Sequence, residues 1–309
     1  VRETGLDSHL KEAEAAGRKL LKLSIGQPEG PALSPARRSA ALMIQSSKQT
    51  IHEYQDNSCL PCPDFAQRFV QCHIKTDLAK LEPGQVDYLP IPGIKPMLGL
   101  IPLACGATCE DHFVCVSTTT NPGYPTPAVW CGYLRNVSCS SVTLNPGNKF
   151  RFEPSELLNQ GSLVMMNYPH NPTGHVLSRS ETTSIAHLAC EYELPLIIDE
   201  VFYEFVYDDS IATIKGILPQ REAFRDCPLV FTLNGFSKMF ALPGLKIGWM
   251  VASGHPAFLT PALSALETIA DTFLSTNEVA QFVAADIFQS GRDFLQNYKQ
   301  QLRTRWQAS

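Results

Sequence analysis

The chain has 309 residues, 44% hydrophobic and 18% charged, with a formal net charge of -5 and a pI near 5.9. This is an ordinary globular composition, long enough for about two domains. Mild acidity argues against nucleic acid or an anionic membrane as partner, since both select basic patches, and no apolar run approaches the roughly 20 residues of a membrane span.

The first 17 residues are polar and amphipathic, unlike a signal peptide. The expected setting is the cytoplasm, or an organelle with upstream residues removed. A helix is expected over 7–20, with Asp7 or Ser8 as N-cap. The Gly/Pro-rich stretch 22–35 reads as a loop, and a second helix is expected over 36–47. Residues 54–75 begin as loop; Pro63 and Asp64 then suit the start of a helix through Phe65–Cys72. Cys59 and Cys62 form one close pair, followed by Cys72 and His73. A zinc site needs a second clean pair at ligand spacing. The ten cysteines are therefore read as reduced, mostly buried thiols, and no metal is expected.

From residue 112 the pattern alternates. Apolar runs at 112–117, 162–167, 194–199, 227–233 and 245–253 have strand length. The segment 178–193 has helical character with Ser/Glu capping chemistry at its start. Helices are expected over 262–274 and 277–306. Strands bounded by turn signals with helices between them predict an α/β fold, a mostly parallel central sheet covered by helices on both faces.

In such a sheet, ligands bind beyond the carboxyl ends of the strands. Three strands end in polar residues that a packed core does not require. One runs into Tyr168-Pro-His-Asn171-Pro-Thr-Gly174, one into Asp199-Glu-Val-Phe-Tyr203, and one into Asn234-Gly-Phe-Ser237-Lys238, with Lys246 eight residues further on. Singly, each has a plain explanation: a turn, a helix N-cap, a solvated surface charge. In this order on successive strands they resemble the fold-type I pyridoxal 5'-phosphate enzymes of the class I/II aminotransferase family, from residues 25–30 to the last helix.

The resemblance implies the large domain of that family with an incomplete small domain: 1–48 as the N-terminal segment of the small domain, 49–290 as the cofactor-binding domain, and 291–309 as the interdomain helix. It implies that Lys238 carries pyridoxal phosphate as a Schiff base and then moves the proton of the substrate. Asp199 holds the pyridine nitrogen protonated, which makes the ring a better electron sink. Asn171 donates to the phenolic oxygen of the cofactor and lies by the substrate. Lys246 and Ser237 contact the phosphate, with Gly93, Ile94 and Lys95 as a backbone cradle at a helix N-terminus. A plain turn and helix is the alternative for that cradle, and Pro102 works against helical regularity there. Tyr124 matches the ring that stacks on the pyridine, or is a core or turn tyrosine. Gly26 matches the loop over the substrate carboxylate. Tyr54 matches a tyrosine reaching the other subunit's phosphate, which implies a homodimer with shared active sites.

Four departures stand out. Phe202 occupies the position of the family's tyrosine, so Tyr203 next to it is the candidate for that cofactor contact, brought round by a strand-end bulge, whereas simple alternation points it away. Gly235 replaces a serine. Lys246 replaces an arginine and so loses the bidentate fork. The resemblance also implies a C-terminal small domain, about a hundred residues by typical domain size, of which these 309 residues are expected to carry only a part, and no residue here matches the arginine that grips the substrate carboxylate. The implied activity is transamination between an amino acid and a 2-oxo acid. Alternatives are a lyase, decarboxylase or synthase on the same fold, since fold and cofactor do not decide the reaction, or a non-catalytic domain.

Overall fold

In the computed structural model, residues 5–19, 28, 32–47, 86–106, 112–115, 122–131, 137–158, 161–207 and 226–308 are described. The helix expected over 65–72 and the group Cys59, Cys62, Cys72 and His73 lie outside them. The chain divides into two compact units, Val1–Pro31 and Ala32–Ser309. The first contains α1 (Gly5–Ala15).

The second is built on a seven-stranded sheet of β1 (Val86–Ile91), β2 (His112–Cys115), β3 (Ser138–Ser141), β4 (Leu163–Asn167), β5 (Leu196–Asp199), β6 (Leu229–Gly235) and β7 (Gly248–Gly254), in the order β1-β7-β6-β5-β4-β2-β3. β2 to β6 pair in parallel, while β7 runs antiparallel to both β6 and β1. The helices are α2 (Ser34–Gln45), α3 (Ile94–Ala104), α4 (Thr126–Trp130), α5 (Arg179–Glu191), α6 (Phe236–Met239), α7 (Pro256–Thr272), α8 (Glu278–Ser290) and α9 (Arg292–Ala308).

Strand alternation sends successive side chains to opposite faces, and along β4 to β7 both faces are buried. Leu163, Met165, Ile197, Phe231, Leu233 and Met250 pack with Met97 and Ile101 of α3 and Leu259 and Leu266 of α7. The intervening residues Val164, Met166, Leu196, Ile198 and Val230 pack with Ile185, Ala186 and Ala189 of α5. Trp249 and Val251 of β7 join Val283, Ala284 and Ile287 of α8 and Ala36 of α2 in a third cluster. A hydrogen bond from Ser39 to Asp286 at 2.6 Å ties α2 to α8. The expected mostly parallel sheet with helices on both faces is thus present.

Local chemistry sets the element ends. Ser178 and Glu181 form the expected capping box at α5, each side chain bonding the other's backbone N–H. The tail expected as one helix over 277–306 is two, because Gly291 separates α8 from α9. A side chain there would meet Ile287 O and Phe240 Cε1, both at 2.7 Å. Pro102 lies inside α3, near its end. β1 carries Pro90 and β3 is the polar run Ser138–Ser141, and both lie at sheet edges, where a missing ladder donor is tolerated.

The topology gathers particular residues. The carboxyl ends of β1 to β6 and the start of β7 share one edge of the sheet. The segments after β1, β4, β5 and β6, and the one before β7, therefore lie at the same edge.

Candidate active site

β4 ends at Asn167, opposite Asp199, the last residue of β5. The chain then turns through Asn171-Pro-Thr-Gly174. His170 and His175 pair by a backbone bond at 2.8 Å, Gly174 N–H donates to His170 O at 2.8 Å, and His170 Nδ1 meets Thr173 Oγ1 at 2.7 Å. Asn171 N–H donates to Asn167 Oδ1 at 2.9 Å. Asn171 itself is half-buried at the mouth of the turn.

Asp199 is buried, and its Oδ1 accepts the Val201 N–H at 3.0 Å. Burial lifts its carboxyl from 3.8 to about 7, against the lowering effect of that bond. A carboxylate in such a place asks for a cationic partner. Beyond it the chain makes a short 3-10 turn, Tyr203–Phe205. Tyr203 is buried; burial, with the Glu200 and Glu204 carboxylates nearby, raises its phenol above the usual tyrosine value. The neighbouring ring of Phe202 stands 6.0 Å from Lys238 Nζ. Lys299 of α9 holds Glu204 at 2.9 Å and so fixes this turn to the last helix.

β6 leads into Ser237 and Lys238, on the one-turn helix α6. Asn234 Oδ1 accepts the Gly235 N–H at 2.7 Å. Gly235 is fully extended, at φ -179°, but a Cβ there would lie 3.0 Å from Ile247 O and 3.1 Å from Gly248 Cα. The absent serine therefore has a spatial cause: β7 runs too close. Burial, and then the Lys95 ammonium, lower the Lys238 amine below its ordinary value. A lowered amine is a better nucleophile at neutral pH.

The fourth component is the start of α3. Gly93, at φ 92° and ψ 161°, is its N-cap and brings no side chain to cap the first turn. The exposed N–H groups and the helix dipole make that end a site for an anion. A Cβ on Gly93 would touch the Lys246 backbone at 4.0 Å, so Lys246 passes directly beside the cradle, in a left-handed conformation at φ 50°. The pairings Ile91 with Gly248 and Gly235 with Gly248 bring the start of α3, the Lys238 loop and Lys246 together. Lys95 Nζ lies 6.0 Å from the Tyr124 ring, and Tyr124 packs at the border of the core beneath α3.

Asn171, Asp199, Ser237, Lys238, Lys246, Gly93, Ile94, Lys95 and Tyr124 thus lie on segments that converge on one sheet edge. Gly26 and Tyr54 lie outside the described residues. Among the described residues there is no cluster of His, Cys, Asp or Glu able to hold a metal ion, and no helix long and apolar enough to cross a membrane. Motif reading passed over Asn167, whose buried amide connects two of the site segments. Its place at a strand end, four residues before Asn171, was the available signal. The donor set suits pyridoxal phosphate: a helix N-terminus beside Lys246, a buried carboxylate at Asp199 and an amine of lowered basicity at Lys238.

A model of the family described as aminotransferase class I and II matches residues 18–308. The chain is 36% identical to an aspartate aminotransferase of Pyrococcus abyssi over 113 residues, 34% of this chain and 27% of that protein. It is 25% identical to an LL-diaminopimelate aminotransferase of Dehalococcoides mccartyi over 256 residues, 80% of this chain and 61% of that protein. The chain therefore spans less than two thirds of the length of these relatives. Among solved structures, an alanine aminotransferase from Pyrococcus furiosus superposes with a TM-score of 0.77 at 21% identity, covering 96% of this chain and 72% of that one. A Thermus thermophilus aspartate aminotransferase variant gives 0.76 at 18% identity, covering 99% and 76%. At these identities the structural likeness concerns the fold.

Proposed function

This chain belongs to the class I and II aminotransferase family, and on that premise we propose that it moves an amino group between an amino acid and a 2-oxo acid, with pyridoxal phosphate attached at Lys238. The observation that carries the reading is the convergence of a buried carboxylate, an amine of lowered basicity and an uncapped helix N-terminus on one sheet edge.

When bound, pyridoxal phosphate supplies an electron sink for the charge left at the substrate Cα. The chain's own residues do the rest. The first turn of α3, with Ser237 and Lys246, holds the phosphate. Asp199 would pair with the protonated ring nitrogen, which would compensate the burial of its carboxylate. Asn171 would offer its side-chain amide to the cofactor's ring oxygen, and Tyr124 would pack beside the ring. Lys238 Nζ would hold the cofactor and, as a free amine, would accept the substrate Cα proton and give it back. We assign the assembled protein as a homodimer, with Tyr54 contributed to the neighbouring subunit's site; sedimentation at micromolar concentration tests the stoichiometry.

The test is attachment followed by a half-reaction. Protein supplied with pyridoxal phosphate is reduced with borohydride and digested, and the label is mapped. A label on a peptide without Lys238, or none, overturns the reading. Incubation with single amino acids then separates reaction types: transamination leaves pyridoxamine phosphate and a 2-oxo acid, whereas a lyase or decarboxylase returns pyridoxal phosphate unchanged.

A further inference from the structure

Asn167 is 3% exposed and makes two side-chain bonds that reach into two different parts of the site. Its Nδ2 donates to the Asp199 carbonyl at 3.1 Å, and its Oδ1 accepts the Asn171 N–H at 2.9 Å. A primary amide is planar, so its donor and acceptor keep a fixed separation and direction. The two bonds therefore set how far the Asn171 turn stands from the end of β5.

The plain alternative is a strand-end asparagine that serves only to close its own turn. Two observations speak against it. The turn is already closed by its own bonds, His170 with His175 and Gly174 with His170, each at 2.8 Å, and by His170 with Thr173 at 2.7 Å. The Asp199 carbonyl already receives the regular ladder bond from Tyr168 N–H at 3.0 Å. The Asn167 amide adds to both without completing either. What it does is join the backbone that carries Asp199 to the backbone that carries Asn171. Asp199 is held in turn by Val201 N–H at 3.0 Å, so movement of β5 is passed to the carboxylate.

We propose that Asn167 is a positioning residue that sets the spacing between Asp199 and Asn171, and so the seating of the cofactor ring between them. This rests on the assignment of the site to pyridoxal phosphate. A misplacement of well under 1 Å in either group is enough to weaken bonds made to both ends of one rigid ring.

The experiment compares the full-length wild type with Asn167→Leu, of similar volume and without either bond, titrated with pyridoxal phosphate itself. Three readouts are taken: the dissociation constant, the pH at which the absorbance of the lysine-bound cofactor changes form, and the thermal midpoint without cofactor. The expected result is about a tenfold weaker dissociation constant, the scale of one lost interaction, with a displaced absorbance midpoint. In an Asn171→Ala background the same substitution has a smaller effect, because residues that act through one another are not additive. If Asn167→Leu does not fold, Asn167→Ser replaces it and is expected to give a change of the same sign. Unchanged affinity and unchanged absorbance midpoint overturn the inference, as does full additivity with Asn171→Ala. If the wild type itself shows no lysine-bound absorbance, the functional assignment falls and the inference falls with it. Binding by the wild type together with an indifferent variant removes the inference alone.

Discussion

Lys238 Nζ lies 6.0 Å from the centroid of the Phe202 ring, so the amine faces hydrocarbon where the family resemblance leads one to expect a phenol. Tyr203, one residue on, is buried in the 3-10 turn that Lys299 holds through Glu204. The environment of the lysine is thus drier than a phenol would make it, in keeping with burial as the leading cause of its lowered basicity.

On the proposed assignment, replacing Phe202 with Tyr should restore a donor toward the cofactor's ring oxygen. Phe202 is half-buried, so the extra hydroxyl is accommodated and the thermal midpoint changes little. A hydrogen bond to a charged acceptor contributes about 1.5–3 kcal/mol, which is about one unit or more of pH. Stabilising the oxygen in its anionic form should lower the pH at which the lysine-bound cofactor changes absorbance. An unchanged titration would place the new hydroxyl out of reach.

Asp199 makes the cofactor-free protein pH-sensitive in a direction that can be stated. Its ordinary value is 3.8 and its folded value about 7. Below the ordinary value both states are neutral. Between the two, the unfolded chain releases a proton that the folded chain retains, so stability falls as pH rises toward 7 and then levels. Asp199→Asn, which keeps an oxygen for Val201 N–H, should therefore be more stable than wild type at pH 8 without cofactor, by a few kcal/mol at about 1.4 kcal/mol per unit. The two should converge near pH 4. If Asp199 holds the ring nitrogen as proposed, saturating pyridoxal phosphate should reverse the order at pH 8, because only the carboxylate would pair with it. Thermal unfolding at both pH values checks this.

Two glycines in the site are required for different reasons, and alanine separates them. At Gly93 there is room, with the nearest atoms at 4.0 Å, but φ is 92° and ψ 161°. This is a region nearly closed to other residues, at about 1–3 kcal/mol. At Gly235 the backbone is extended, but a Cβ meets backbone atoms at 3.0 and 3.1 Å. Gly235→Ala must push β6 from β7, a change of about 1–3 kcal/mol. Both variants should lower the thermal midpoint. Gly93→Ala should in addition weaken pyridoxal phosphate binding more than pyridoxal binding, because it disturbs the phosphate cradle.

Lys95 lowers the Lys238 amine through its charge. Lys95→Met keeps most of the side chain's length and removes that charge, so the Lys238 amine should rise toward its ordinary value. The rate of cofactor attachment at Lys238, measured against pH, should move to higher pH relative to wild type. A profile superposable on that of the wild type would assign the lowered basicity to burial alone.

The chemistry-bearing positions were legible because each is a local event. Asp199 ends a strand, Asn171 opens the turn after one, Lys238 follows one, and Ser178 with Glu181 marks a helix start; capping, turn and alternation signals all operate within a few residues. β1 and β3 were not legible, because a proline-bearing edge strand and a run of serines carry no alternation. Nor was the break at Gly291, which depends on contact with Phe240 from another part of the chain.

By itself the sequence determined the kind of site: a lysine, a carboxylate and an amide at the ends of buried strands, in the order of one enzyme family. Only the tertiary structure decided how those parts are spaced. The antiparallel pairing of β1 with β7 places Gly93 against Lys246, the approach of β7 excludes a side chain at Gly235, and the Asn167 amide joins the strand of Asp199 to the turn of Asn171. The physical reason is range. Side-chain pattern records burial and turns among near neighbours, whereas distances inside a site are set by which strands pair and how closely their backbones pack.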